Sequence, residues 1–212
     1  MTRVFLIRHA DVDNPRHVLY GHLPGFPLSE SGRAQAVEVG RRLGDADIRR
    51  IVHSPLERAA ETARLMSEHH PEPVPVIPEP ELREAEFSRY LQGVPYWQIP
   101  VRRPLWVVHK ARRGLLPGDE PIEQLGGRVV NVMTKMAAQH PGETFALVSH
   151  ADPLQAAWVL MDGRPQTERE LYRKQVGRAG MLAVDLDGDG RVLAVNYVEP
   201  PKPAQAAASV SR

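Results

Sequence analysis

Three short apolar runs in this chain end on histidine. Val4-Phe5-Leu6-Ile7 leads into Arg8-His9, Ile51-Val52 into His53-Ser54-Pro55-Leu56-Glu57-Arg58, and Phe145-Ala146-Leu147-Val148 into Ser149-His150. Runs of this kind read as buried strands of a parallel sheet, whose carboxyl ends open on the crevice where such sheets bind anionic ligands. Two arginines and three histidines are thus carried toward one edge. A lone histidine or arginine at a strand end is ordinary loop polarity, and coincidence at three ends is not. These residue types suit phosphoryl chemistry. A phosphate monoester is strongly anionic, and the planar fork of a guanidinium matches its oxygens better than an ammonium does. Arg8 and Arg58 are the candidate cations, the latter in the first turn of a helix, where unpaired N–H groups also favour an anion. A neutral imidazole can attack phosphorus if one nitrogen is free and the other is held as N–H by an acceptor. His9, His53 and His150 could instead form a zinc triad, but the neighbouring arginines would repel a divalent cation.

The elements that must position these residues follow from local signals. Ser31 to Leu43 reads as a helix, introduced by the Pro27-Leu28-Ser29-Glu30 turn and ended near Gly44. Pro55 can take the first position of a second helix running to about His69, before a proline-broken stretch from Pro71 to Pro80. Further helices are expected from about Pro121 to His140 and from about Pro153 to Met161. Strand followed by helix, repeated, predicts a mostly parallel sheet covered by helices on both faces. Near the end, Met181 to Leu186 and Val192 to Val198 flank Asp187-Gly188-Asp189-Gly190. Asp185, Asp187, Asp189 and Gly190 match the first half of a calcium loop, yet Asn196 stands where a bidentate glutamate is wanted, so a hairpin is the expectation. Residues 1–199 are expected to form one domain. Pro200-Pro201-Lys202-Pro203 and the Ala/Ser tail cannot bury a core, so 200–212 is expected to be disordered.

Composition narrows the function classes. The 212 residues suffice for one α/β domain. A net charge of +1 argues against nucleic-acid and membrane partners. The absence of cysteine excludes a thiol nucleophile and a Cys-based zinc site, and fits a reducing compartment. With no apolar stretch near the roughly 20 residues of a membrane span, a cytoplasmic location is expected.

The string Phe5-Leu6-Ile7-Arg8-His9-Ala10 resembles the signature of the histidine phosphatase superfamily, the phosphoglycerate-mutase-like fold, whose usual motif is Arg-His-Gly. Segments 21–36, 54–63, 81–93, 118–129 and 148–156 are similar to it in the same order, and the resemblance covers about residues 3 to 198. It implies a three-layer α/β/α sandwich with a mostly parallel central sheet. It also implies metal-independent, cofactor-free hydrolysis of a small phosphorylated substrate, with a homodimer left open. By this resemblance His9 becomes a phosphohistidine later freed by water, His150 steadies the transferring charge, and Arg8 and Arg58 cradle the phosphate. Glu84, in Glu81-Leu82-Arg83-Glu84-Ala85-Glu86-Phe87, is the candidate acid/base, with Glu81 and Glu86 as alternative registers. Asn14 comes one residue earlier than the family's usual asparagine, so phosphate binding competes with turn formation through Asn14-Pro15. Ala10 replaces the usual glycine, and Ala151-Asp152-Pro153 replaces a Gly-Gly pair. The mutase branch's Glu-Arg-His-Tyr-Gly segment is missing, which makes mutase activity a runner-up. A non-catalytic phospholigand-binding module is the third reading.

The segment from Val94 to Pro117 follows the Glu84 loop and is rich in aromatic and basic residues. It can close over the crevice on the leaving-group side. Arg102, Arg103 and Trp106 are the candidates there for an acidic or ring-bearing substrate. The alternative is an amphipathic helix with Trp97 and Trp106 packed inward and its arginines solvated.

Overall fold

In the first strand, β1 (Thr2–Arg8), Val4 and Leu6 belong to one apolar cluster, and Phe5 and Ile7 to another. A strand apolar on alternate sides needs cover on both. The computed structural model, which describes residues 1–72 and 74–201, shows that cover. Five further strands, β2 (Ile48–His53), β3 (Val76–Pro78), β4 (Thr144–Ser149), β5 (Met181–Leu186) and β6 (Val192–Val198), join β1 in one sheet. The order is β3-β2-β4-β1-β5-β6. β3, β2, β4 and β1 are parallel, whereas β5 and β6 run as an antiparallel hairpin at one side.

The helices are α1 (Glu30–Arg42), α2 (Glu57–Glu68), α3 (Ser88–Leu91), α4 (Ile99–Arg102), α5 (Leu105–Ala111), α6 (Ile122–Gln139), α7 (Ala151–Met161) and α8 (Glu168–Arg173). Ser29 caps α1 by accepting from the Gly32 amide at 3.0 Å, so the expected turn does start that helix. Ala36 and Val39 of α1 and Ala59, Ala63 and Met66 of α2 pack on Phe5, Ile7, Ala146 and Val148. On the other face, Val129 and Met133 of α6 and Leu154, Ala157 and Trp158 of α7 pack on Val4, Leu6, Phe145 and Leu147. The result is a three-layer α/β/α sandwich with a mostly parallel sheet.

Three details differ from the sequence reading. α2 begins at Glu57 with Leu56 as its N-cap, so Pro55 stands before the helix and not in its first position. A short strand, β3, forms inside the proline-broken stretch at the sheet edge, where its proline removes no central ladder bond. The basic-aromatic segment holds two short helices, α4 and α5, divided at Pro104. The Asp-Gly hairpin is present: the Asp187 carboxylate accepts from the amides of Asp189 at 2.9 Å and Arg191 at 2.8 Å, which commits it to the turn. Of the expected tail, Pro200 is half-buried and Pro201 buried, and 202–212 lies outside the described residues.

Candidate active site

The connection leaving β1 runs through α1 on one face of the sheet, and the connection leaving the adjacent β4 runs through α7 on the other. Their carboxyl ends therefore splay apart into a crevice, the usual ligand site of open α/β sheets. Register places the key residues side by side. Arg8 pairs with Ser149, and the His9 amide extends the ladder by donating to the Ser149 carbonyl at 2.9 Å. On the far side of β4, His53 pairs with Val148 and the Ser54 amide donates to the Val148 carbonyl at 2.9 Å. As a consequence the His9 and His150 rings stand 5.2 Å apart, tilted by 57°.

The protonation state of His9 follows from its partners. Nδ1 lies 2.8 Å from the Ala10 carbonyl oxygen, which can only accept, so Nδ1 carries the proton. Nε2 accepts from Arg58 Nε at 3.2 Å and therefore presents a lone pair. Burial, then the Arg58 and Arg8 cations, hold the imidazole well below the ordinary histidine range and keep it neutral. His150 is buried beside it, hydrogen-bonded through Nε2 to Ser54 Oγ at 2.8 Å, and is pushed well below that range by burial, Arg58 and His9. His53 faces away from this pair's bonding, its Nδ1 donating to the Ser54 carbonyl at 2.8 Å. Among the described residues no group of three or more metal-ligating side chains is arranged around an ion site.

Arg58 is the second residue of α2 and is 1% exposed. Its Nη2 donates to the Gly21 carbonyl at 3.0 Å, and its guanidinium lies 4.7 Å over the Tyr20 ring. Thr62, one turn along α2, accepts from the Ala10 amide at 3.1 Å and donates to the Arg58 carbonyl at 2.7 Å. Helix and histidine loop are thereby fastened together. Ala10 has no left-handed backbone, so the methyl in place of the family's glycine costs nothing here. Arg8 donates through Nη1 to the Val176 carbonyl at 2.9 Å, while its buried Nε has no partner among the described residues. A buried guanidinium N–H left open beside His9 is suited to an incoming oxyanion.

Of these groups Arg8, His9, Tyr20 and Gly21 line a cavity of about 270 Å³, with Arg58 and His150 buried behind them. Of the three neighbouring glutamates, Glu84 lines it; Glu81 is exposed and Glu86 pairs with Arg89 at 2.6 Å. Burial and the Asp152 carboxylate push the Glu84 carboxyl above its ordinary range, against the pull of Arg58 and Arg8. Trp106 lines the cavity, but Arg102 and Arg103 do not. Arg102 bonds Gln98 at 3.1 Å on the surface, and Arg103 lies 5.6 Å over Tyr90. They stand before Pro104, whereas the cavity takes Trp106, His109, Lys110 and Arg113 from the far side of it. Asn14 is likewise kept from the cavity: both ends of its amide bond the Val18 backbone, at 2.8 and 3.2 Å, which is the turn-forming role. Tyr20, Asp152 and Tyr172 were not singled out for the site by the sequence. Asp152 had a signal, since it stands beside the second histidine in place of glycine, while Tyr172 arrives only through the packing of α8 on α7.

Comparison with known proteins accounts for this arrangement. An uncharacterized protein of Mycobacterium tuberculosis is 32% identical over 204 residues, covering 94% of this chain and 96% of that one. A protein of Arabidopsis thaliana described as a metal-independent phosphoserine phosphatase is 29% identical over 168 residues, 75% of this chain and 68% of that one. The solved structure of Bacillus stearothermophilus YhfR superposes with a TM-score of 0.82 at 20% identity, over 95% of this chain and 98% of that one, which shows a common fold. The family model of the histidine phosphatase superfamily, branch 1, matches residues 4–197, which takes in all six strands but for the first two residues of β1 and the last of β6. With both histidines and the intervening arginine helix inside that span, the chain belongs to the histidine phosphatase superfamily.

Proposed function

We propose that this chain hydrolyses phosphomonoesters of small metabolites through a phosphohistidine at His9, without a metal ion. The observation that carries the proposal is the neutral His9 ring, protonated on Nδ1, with Nε2 turned to Arg58 and with Arg8 and His150 beside the ring. In the first step Nε2 attacks phosphorus and the P–O ester bond breaks. Glu84, whose carboxyl burial and Asp152 raise above its ordinary range, gives its proton to the departing alkoxide. The guanidiniums of Arg8 and Arg58 and the His150 ring offset the charge spread over the phosphoryl oxygens. In the second step the Glu84 carboxylate takes a proton from water, which attacks phosphorus, breaks the P–N bond and releases inorganic phosphate. The phosphoserine phosphatase likeness supports hydrolysis as the outcome. A panel of phosphorylated metabolites with phosphate release as readout tests the reaction. His9→Ala is expected to lower turnover by more than ~10³-fold, and wild-type protein to carry an acid-labile, base-stable phosphoryl label on His9 after brief exposure to substrate. Activity within tenfold of wild type in His9→Ala would overturn the assignment, and abolition by EDTA with rescue by zinc would overturn the metal-free scheme.

A further inference from the structure

Beyond the catalytic groups, the cavity wall is built by α5 and the start of α7, and its charges are already matched. Lys110 Nζ lies 3.1 Å from Glu168 Oε2 and 3.0 Å from the Tyr172 hydroxyl. Arg113, its side chain 4% exposed, donates through Nε to Glu168 Oε1 at 2.7 Å and through Nη2 to Asp152 Oδ2 at 3.1 Å. Two cations thus face two carboxylates, with no charge left over. His109 adds no cation either. Its Nδ1 bonds Asp119 at 2.8 Å, its ring stacks on Phe87 at 4.2 Å with 11° between planes, and burial and Arg113 hold it below the ordinary histidine range. Apart from Ser88, whose hydroxyl has no partner among the described residues, the remaining side chains of this wall are apolar or aromatic: Leu19, Phe87, Leu91, Tyr96 and Trp106.

We propose that the preferred leaving group is an uncharged, ring-bearing alcohol, and that the Lys110-Arg113-Glu168-Asp152 quartet selects against alcohols carrying a carboxylate or a second phosphate. The proposal rests on the phosphatase reading of the same site. An anionic leaving group reaching Lys110 or Arg113 must displace Glu168 or Asp152, and a carboxylate so displaced stays in a partly buried wall without its partner. An uncharged ring makes no such demand and stacks on the aromatic residues. The acidic substrate that the arginine-rich sequence suggested is thereby disfavoured, because those arginines stand elsewhere or are neutralised.

Matched ligand pairs test this directly. In a His9→Ala background, which keeps esters intact, calorimetry would compare phenyl phosphate with 4-carboxyphenyl phosphate, and glucose 6-phosphate with glucose 1,6-bisphosphate. The uncharged member of each pair is expected to bind at least ~10-fold more tightly. Adding Glu168→Gln, which keeps an acceptor for Arg113 but removes the charge, is expected to narrow that gap by roughly fivefold or more through tighter binding of the charged members. Equal binding within each pair, or preference for the charged member, would overturn the proposal; the pair data decide alone if Glu168→Gln fails to fold. Wild-type phosphate release is measured beside them. Binding in the expected order with no turnover would remove the hydrolase reading and leave the ligand preference in place.

Discussion

Arg128 of α6 donates through Nη1 to the backbone carbonyl of Arg83 at 2.8 Å, directly before the candidate acid Glu84. The same guanidinium also reaches the Glu81 carbonyl and pairs with Glu120 at 2.7 Å, and Glu120 in turn accepts from the Glu86 amide at 3.0 Å. Residues 81–86 lack strand or long-helix support, and Arg128 joins Ser149, whose hydroxyl donates to the Leu82 carbonyl at 2.7 Å, in setting where the loop stands. Arg128→Gln is expected to lower kcat on alkyl phosphates by about tenfold and to spare aryl phosphates, whose leaving groups need little protonation. Steady-state kinetics on both ester types, with Glu84→Gln as the second arm of a double-mutant cycle, checks this. A positioning role gives strong non-additivity, whereas a purely structural one gives equal losses on both esters.

Glu84→Gln keeps the side-chain shape and removes the proton. Turnover of alkyl esters should fall by roughly 10² or more, with aryl esters affected less. The wild-type pH profile carries a second signature. Because the carboxyl is raised, its acid form persists to higher pH than an ordinary glutamate's, and the basic limb of kcat should report its loss. That limb is expected to vanish in Glu84→Gln; a limb that persists would assign it to another group.

Stability should depend on the two site histidines. Both are depressed in the folded state, so as pH falls below the unfolded value of about 6.5 the unfolded chain takes up protons that the native one refuses. Stability is therefore lost on acidification from that point, by up to about 1.4 kcal/mol per pH unit for each histidine. The raised Glu84 works with the opposite sign, its contribution being present at low pH and lost as pH rises through its folded pKa. Thermal melts between pH 7 and 5 should show Tm falling for wild type and falling less for His9→Asn. Parallel curves for the two proteins would contradict the histidine linkage.

Two adjacent glycines of α6 should respond in opposite directions to the same change. A Cβ on Gly126 would stand 2.5 Å from the Ala156 carbonyl carbon and 2.6 Å from the Ala157 nitrogen, both backbone atoms of α7. One on Gly127 would meet nothing within 4 Å. Gly126→Ala is expected to destabilise by roughly 1–3 kcal/mol as the helices are forced apart. Gly127→Ala is expected to stabilise by about 0.5–1 kcal/mol through helix propensity. Chemical denaturation of both variants checks the contrast.

The strand ends were legible because a buried strand announces itself as an apolar run and the functional residue follows it at once, as in Ile7-Arg8-His9 and Val148-Ser149-His150. Helix positions followed from caps and prolines, and Arg58 indeed falls in the first turn of α2. The leaving-group wall was harder. Charge alone put Arg102 and Arg103 forward, but Pro104 separates them from α5, whose residues 106, 109 and 110 face the cavity at the spacing of one helical face, with Arg113 following just beyond the helix. That periodicity was in the sequence and outweighs composition. No local signal marks Tyr20 under Arg58 or the Val176 carbonyl on Arg8, since both arise from packing between segments remote in the chain.

β1 lies between β4 and β5, both of which follow it by well over a hundred residues. During synthesis β1 has neither neighbour to pair with until β4 and β5 have followed it from the ribosome. Arg8 and His9 are thus made well before the strands that flank them. The crevice that Arg8 and His9 line is complete only once β4 and β5 have joined β1, and a chain cut short before β4 would carry both residues without it.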